Sequence, residues 1–366
     1  MTEIYLSISI ILVFLFSLVL RSSFVLTSIF IGSLIALLKS YYNFHFSTGS
    51  FEIFSEIAIS FIFFSLGLGY TLDAFLRNLK RTVVPSILDL LNLFVPFTIT
   101  YLITKDFFFS FALGMCLYPS STAIVVKVLE FHKKLASKST DIIIGILLFE
   151  DIILIALLSF LTIFSAHKSS FSSVILSILI ISVLFTIWKF VLSKRPLITE
   201  RYLQEDVGIF FSFGYFLFLY FICKKFGLPE LLIMFSAALF IPTDISNMIK
   251  SKLEPIKNFS VGIFIIDFTS RINLGVLNSI DYRVLILVPL FVFLKIITIY
   301  LAFRYARIKY KREDVIFFIP RGEFTAYISK LANLEIFGFL AIILSNTIAL
   351  IENMSVNKKS TYMQKK

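Results

Sequence analysis

Only two cysteines, three histidines and one tryptophan occur in the 366-residue chain, and charged side chains make up just 16% of it. Each shortage excludes something. Cys116 and Cys223 both fall in apolar runs, so they read as small buried hydrophobes and not as a disulfide framework. His45, His132 and His167 fall near predicted loops, which leaves no histidine cluster for a metal. Charge this sparse, against 58% hydrophobic residues and a mean hydropathy of +0.94, excludes a soluble domain of this length. Acidic residues are also fewer than basic ones, giving a net charge of +11. In an apolar chain that excess follows from basic cytoplasmic loops and does not call for nucleic acid. No phosphate-cradling loop, paired zinc histidines or nucleophile elbow appears, and no cofactor is expected. Leu66-Gly67-Leu68-Gly69-Tyr70 superficially matches the glycine motif of intramembrane aspartyl proteases, but no Asp follows the second glycine.

What the chain has in abundance is long apolar runs. Thirteen are counted, at about 4–20, 23–38, 54–72, 83–103, 107–128, 141–164, 171–192, 207–223, 228–242, 258–278, 284–303, 314–330 and 335–351. Most approach the roughly 20 residues that a membrane-spanning helix needs. The expected fold class is therefore an all-α polytopic membrane protein. The first run lacks a basic leader and a small-residue cleavage site, so it is expected to be retained. Alternating the loops across a membrane places 22 Lys and Arg on one side and 7 on the other. The basic side is cytoplasmic, which puts the N-terminus outside and the C-terminus inside a cell membrane. An odd count suggests two six-helix repeats of opposite orientation, about 1–165 and 206–352, joined by a linker helix at about 171–192. Residues 353–366 would be a short basic tail.

The sixth run carries the chemistry. Glu150 and Asp151 sit at its centre, in Ile146-Leu147-Leu148-Phe149-Glu150-Asp151-Ile152-Ile153-Leu154. Inserting one acid at mid-helix costs about 2.5–3.5 kcal/mol, so an adjacent pair points to an ion or proton site. Adjacent residues diverge by about 100° around a helix, so one is expected to meet the ion and the other a counter-charge. The candidate counter-charge is Lys295, in the middle of the eleventh run. It is either a proton-exchanging partner or one half of a structural ion pair.

Two further runs should break. In the fifth, Pro119 removes a helix hydrogen bond and is followed by Ser120, Ser121 and Thr122. A broken helix frees carbonyls and presents hydroxyls, the hard oxygens that suit an alkali cation. In the twelfth, Pro320-Arg321-Gly322-Glu323 interrupts the helix and brings two charges inside. Glu323 is expected to neutralise helix N-terminal N–H groups or Arg321, a structural role more than direct ion binding. Asp267 and Arg271 are four residues apart and suit a local pair, while Asp89 has no evident partner.

These residues resemble the monovalent cation:proton antiporters of the Kef/Nap type, over nearly the whole chain. Phe63-Phe64-Ser65-Leu66-Gly67-Leu68 with Leu76-Arg77 resembles the family's third helix. Leu113-Gly114 with Ser120-Ser121-Thr122-Ala123-Ile124-Val125 resembles its first broken helix, and Gly322-Glu323-Phe324 its second. Leu147-Leu148-Phe149-Glu150-Asp151-Ile152 resembles its carboxylate helix, the most specific match. Lys252, Glu254-Pro255 and Gly262-Ile263-Phe264 resemble the entry to its tenth helix, and Lys295 falls where many members have a lysine. The resemblance implies two broken helices crossing near mid-membrane, an elevator-like core in a homodimer, and a secondary transporter, not an enzyme. It implies that Asp151 binds cation and proton alternately; Na+ is expected ahead of K+, although both take hard oxygen ligands. The alternatives are a K+/H+ exchanger, an uncoupled cation channel or uniporter, and a non-transporting scaffold or complex subunit.

Overall fold

Long runs of Leu, Ile and Phe with few charges can satisfy their backbone in an apolar medium only by closing their own hydrogen bonds, and most of the described residues are helical. The computed structural model describes residues 2–20, 24–42, 49–69, 82–134, 137–165, 176–177, 179–183, 186, 207–241, 243–272 and 281–364. The elements are α1 (Thr2–Leu20), α2 (Phe24–Tyr42), α3 (Gly49–Leu68), α4 (Leu91–Thr104), α5 (Phe107–Leu117), α6 (Thr122–Phe131) and α7 (Lys138–Ser165). After them come α8 (Val207–Phe226), α9 (Glu230–Leu239), α10 (Thr243–Ser270), α11 (Tyr282–Tyr305), α12 (Arg312–Ile316), α13 (Glu323–Leu331) and α14 (Glu335–Gln364). No strand occurs among the described residues. Most of the expected linker helix at 171–192 lies outside them.

By length and composition, four described helical spans suffice to cross a membrane: Thr82–Thr104, Gly208–Phe226, Tyr282–Tyr305 and Glu335–Asn353. α4 is the second part of the first of these. Their ends follow local chemistry. Lys105 adopts the left-handed conformation that closes α4, with φ 57°, and its N–H donates to Tyr101 O. Asp106 then caps α5 by accepting from the Phe109 N–H at 3.0 Å. Asp281 caps α11 by accepting from the Arg283 N–H at 2.9 Å, and hydrogen bonds from the Arg283 guanidinium hold its carboxyl below the usual range.

Two elements exceed the apolar runs that announced them. α10 begins at Thr243, about fifteen residues ahead of its run. The reason is amphipathicity: Ile245, Ile249 and Leu253 are buried at four-residue spacing, while Asn247, Lys250, Ser251 and Glu254 are exposed. α14 likewise continues past its apolar part to Gln364, where the sequence suggested a tail, because no glycine or proline stops it.

The chain divides into two compact units. Unit 1 comprises Met1–Gly32, His45–Leu76 and Ile155–Asp267. Its centre is aromatic: Phe61 meets Phe216 edge-on at 4.9 Å between ring centroids, and Phe64 meets Phe216 at 5.7 Å. α3 and α9 approach so closely that a methyl at Gly67 would collide with the Phe235 carbonyl and the Ala238 side chain. Unit 2 comprises Ser33–Phe44, Arg77–Leu154 and Phe268–Lys366. Two larger clusters pack around the helix breaks, beside a smaller one of Ala36, Ile272 and Ile336. One joins Leu113 and Leu117 of α5 to Val288 and Phe291 of α11 and Phe337 of α14. The other joins Val125 and Leu129 of α6 to Ile143 and Ile146 of α7, and to Ile299 and Phe303 of α11. These clusters hold both helix breaks and the acid pair within one unit.

Candidate functional site

The two breaks are the first thing unit 2 builds. α5 ends at Leu117, α6 starts at Thr122, and Pro119 lies between them. α12 ends at Ile316 and α13 starts at Glu323, with Pro320 between. The breaks meet backbone to backbone, with the Ser121 N–H donating to Pro320 O at 2.7 Å. Gly322 makes that approach possible, since a methyl there would lie 2.6 Å from Ser121 Cβ and Oγ. Gly322→Ala is therefore expected to lower thermal stability in detergent by about 1–3 kcal/mol, the usual cost of overpacking. A melting transition like that of the native chain would show that the crossing tolerates a side chain.

Each break leaves backbone groups without helical partners, and the buried Arg321 takes up part of that demand. Arg321 Nη1 donates to the carbonyls of Tyr118 and Pro119 at 2.9 and 2.8 Å. A guanidinium thus sits on the C-terminal end of α5, where the helix dipole is negative. The Arg321 backbone is fixed in turn by α14: its N–H donates to Ser345 Oγ at 3.0 Å, and its carbonyl accepts from Asn346 Nδ2 at 2.9 Å. Glu323 lies in the first turn of α13 and accepts from Ser121 Oγ at 3.1 Å. The charges beside Gly322 therefore reach across the crossing, and no ion pair joins Arg321 to Glu323 among the described residues.

The acid pair arrives from α7. Both Glu150 and Asp151 are fully buried. They diverge as neighbours on a helix must. Glu150 Oε2 accepts from the Ser120 N–H at 2.6 Å, and its Oε1 accepts from Lys295 Nζ at 2.7 Å. Asp151 Oδ2 accepts from Thr122 Oγ1 at 3.1 Å, at the first residue of α6. Both carboxylates thus lie at the start of α6, where N–H groups and the positive dipole end favour anions. Of the hydroxyls expected to face an ion, Thr122 meets the pair directly, Ser121 turns to Glu323, and Ser120 offers its N–H.

Lys295, the expected counter-charge, is buried on α11 and meets a second carboxylate besides Glu150. Asp89 Oδ2 accepts from its Nζ at 2.8 Å. The third N–H goes to Tyr118 O at 3.2 Å, and the ammonium lies 5.0 Å from the Phe318 ring centroid. Asp89 is the member that sequence reasoning left unplaced. The available signal was spacing: Asn92 follows Asp89 by three residues, as Thr298 follows Lys295, and Asn92 Nδ2 lies 2.8 Å from both Asp89 Oδ1 and Thr298 Oγ1.

Comparison with known proteins places this arrangement in context. A family model described as sodium/hydrogen exchanger, transmembrane, matches residues 5–354. The ammonium/H(+) antiporter subunit AmhT of Alkalihalophilus pseudofirmus is 28% identical over 165 residues, covering 43% of this chain and 42% of that protein. The chain thus matches less than half the length of that relative. The K(+)/H(+) antiporter subunit KhtU of Bacillus subtilis is 27% identical over 82% of this chain and 75% of its own. The probable Na(+)/H(+) antiporter GerT of Bacillus cereus is 26% identical over 66% of each. The solved structure of the sodium proton antiporter MjNhaP1 from Methanocaldococcus jannaschii superposes with a TM-score of 0.68, covering 97% of this chain and 96% of that one. At 15% identity, this is a likeness of fold.

Proposed function

The chain belongs to the transmembrane sodium/hydrogen exchanger family, a family of secondary cation/proton antiporters and not of enzymes, and from that premise we propose that it exchanges a monovalent cation for protons at Glu150 and Asp151. The observation that carries the proposal is the buried meeting of this acid pair with Lys295 and the start of α6.

The residues divide the work by position. Asp151, beside the Thr122 hydroxyl, binds the cation and the proton in turn, since each neutralises the same carboxylate. Glu150 faces Lys295, and its contact with that ammonium competes with cation and proton. Ser120, Ser121 and break carbonyls replace water around the ion. A cluster left empty and charged is costly to carry through a bilayer, so only a loaded site crosses, and that requirement prevents leak. Arg321, Glu323, Pro119 and Gly322 keep the crossed backbone in shape. An elevator-like movement and a homodimer, which the sequence resemblance implies, belong to the same proposal, as does a cytoplasmic C-terminus, which the asymmetry of basic loops supports.

Relatives' names divide among ammonium, potassium and sodium, and carboxylate and hydroxyl oxygens suit each of these ions. The test is made in proteoliposomes holding only this chain and an internal pH dye, with Na+, K+, Li+ and NH4+ added in turn against an imposed pH gradient. Cation-dependent collapse of the gradient is expected, and the effective ion names the cargo. Two relatives are named as antiporter subunits. No collapse with any cation, from folded protein, would replace the exchanger by an uncoupled pathway or by a chain that needs a partner subunit.

A further inference from the structure

Asp89 is a buried acid that the exchange scheme leaves unused. An ammonium has three donors, and those of Lys295 are taken by Asp89, Glu150 and the Tyr118 carbonyl. Its two carboxylates are not held alike. Asp89 Oδ1 accepts from Asn92 Nδ2 at 2.8 Å, and the same amide nitrogen lies 2.8 Å from Thr298 Oγ1 and 3.0 Å from the Asp89 carbonyl. Asn92 belongs to α4 and Thr298 to α11, so the Asp89 carboxylate is held by residues inside two helices. Glu150 is held on its other side by the Ser120 N–H, which belongs to a break and not to a helix. One carboxylate is anchored in rigid structure and the other at the place where the fold is interrupted.

We infer that Asp89 is a positioning residue that keeps Lys295 paired and in place while Glu150 lets go of it. The inference rests on the proposed exchange at Glu150 and Asp151. A buried ammonium that loses its only carboxylate is strongly destabilised. With Asp89 holding Lys295, the Glu150 contact breaks and the ammonium stays neutralised. Lys295 is then a fixed counter-charge, and the proton moves on the acids. Without the charge on Asp89, Glu150 becomes the one carboxylate on Lys295, and an incoming cation must break an exclusive buried pair.

The test compares cation-driven exchange by the full chain in proteoliposomes with that of Asp89→Asn and Asn92→Ala, each checked for folding by thermal unfolding in detergent. Asp89→Asn is expected to raise the KM for the cation about tenfold while the maximal rate stays within about twofold. Asn92→Ala keeps the charge but loosens its anchor, and is expected to raise KM about two- to threefold. An unchanged KM in folded Asp89→Asn overturns the inference, as does a lower maximal rate at constant KM. If Asp89→Asn does not fold, Asn92→Ala decides: a raised KM upholds the inference and an unchanged one overturns it. Absence of exchange by the native chain would overturn the reading of the site and this inference together. Exchange that is insensitive to Asp89 overturns the inference alone.

Discussion

Asp151→Asn is expected to abolish cation/proton exchange while leaving the protein folded. The two side chains have nearly the same shape, and the Asn carbonyl oxygen can still accept from Thr122 Oγ1, which now lies 3.1 Å from Asp151 Oδ2. Packing around the fully buried position therefore changes little. Two properties disappear. An amide carries no charge to offset that of a dehydrated cation, and it takes up no proton in the working pH range. Both limbs of the exchange need the carboxylate, so removing it stops both. The loss should reach the background of empty liposomes, on the order of a hundredfold or more, the scale expected when a group acting in the rate-determining step is removed. The gradient-collapse assay measures it, with thermal unfolding in detergent as the control. A folded Asp151→Asn protein that still exchanges would remove Asp151 from the site.

Lys295→Met is expected to destabilise the protein strongly. The native ammonium lies between Asp89 Oδ2 at 2.8 Å and Glu150 Oε1 at 2.7 Å, all three side chains excluded from solvent. Methionine fills similar space but leaves two carboxylates facing one buried position without a counter-charge. Breaking a buried pair by removing one partner costs about 3–5 kcal/mol, because the remaining charge is uncompensated. That mechanism makes a second, sharper statement. In a protein already carrying Asp89→Asn and Glu150→Gln, the same Lys295→Met change should cost far less, since no carboxylate is stranded. Thermal unfolding of the four proteins forms a cycle, and the difference between the two costs is the coupling energy. Equal costs in both backgrounds would mean that Lys295 stabilises through packing and not through charge.

Glu150 and Asp151 were legible in the sequence because charge inside an apolar run is costly, and that argument needs no partner. Both breaks were legible for a similar reason: Pro119 and Pro320 forbid a regular helix whatever surrounds them. The partners were less so. Glu323 was expected to neutralise either helix N-terminal N–H groups or Arg321, two residues away. In the folded chain each crosses to the first break, about 200 positions away: Arg321 reaches the carbonyls freed there, and Glu323 accepts from the Ser121 hydroxyl. Asp89 stood alone in its run, and its partner on α11 is 206 residues further on.

The sequence by itself determined that this chain is helical and apolar, where its helices must break and which residues carry charge into the interior. Each follows from local chemistry: backbone hydrogen bonding in an apolar medium, the missing N–H of proline, the cost of a buried charge. Only the tertiary structure decided that the breaks cross, with Ser121 bonded to Pro320 and Gly322 too close to Ser121 for a side chain. It alone decided that Lys295 answers to two acids and that Arg321 caps the end of α5. A buried charge must find compensation within a few ångströms, but nothing in the order of residues says which distant element will bring it. That choice is made when α4, α5, α7, α11 and α13 pack.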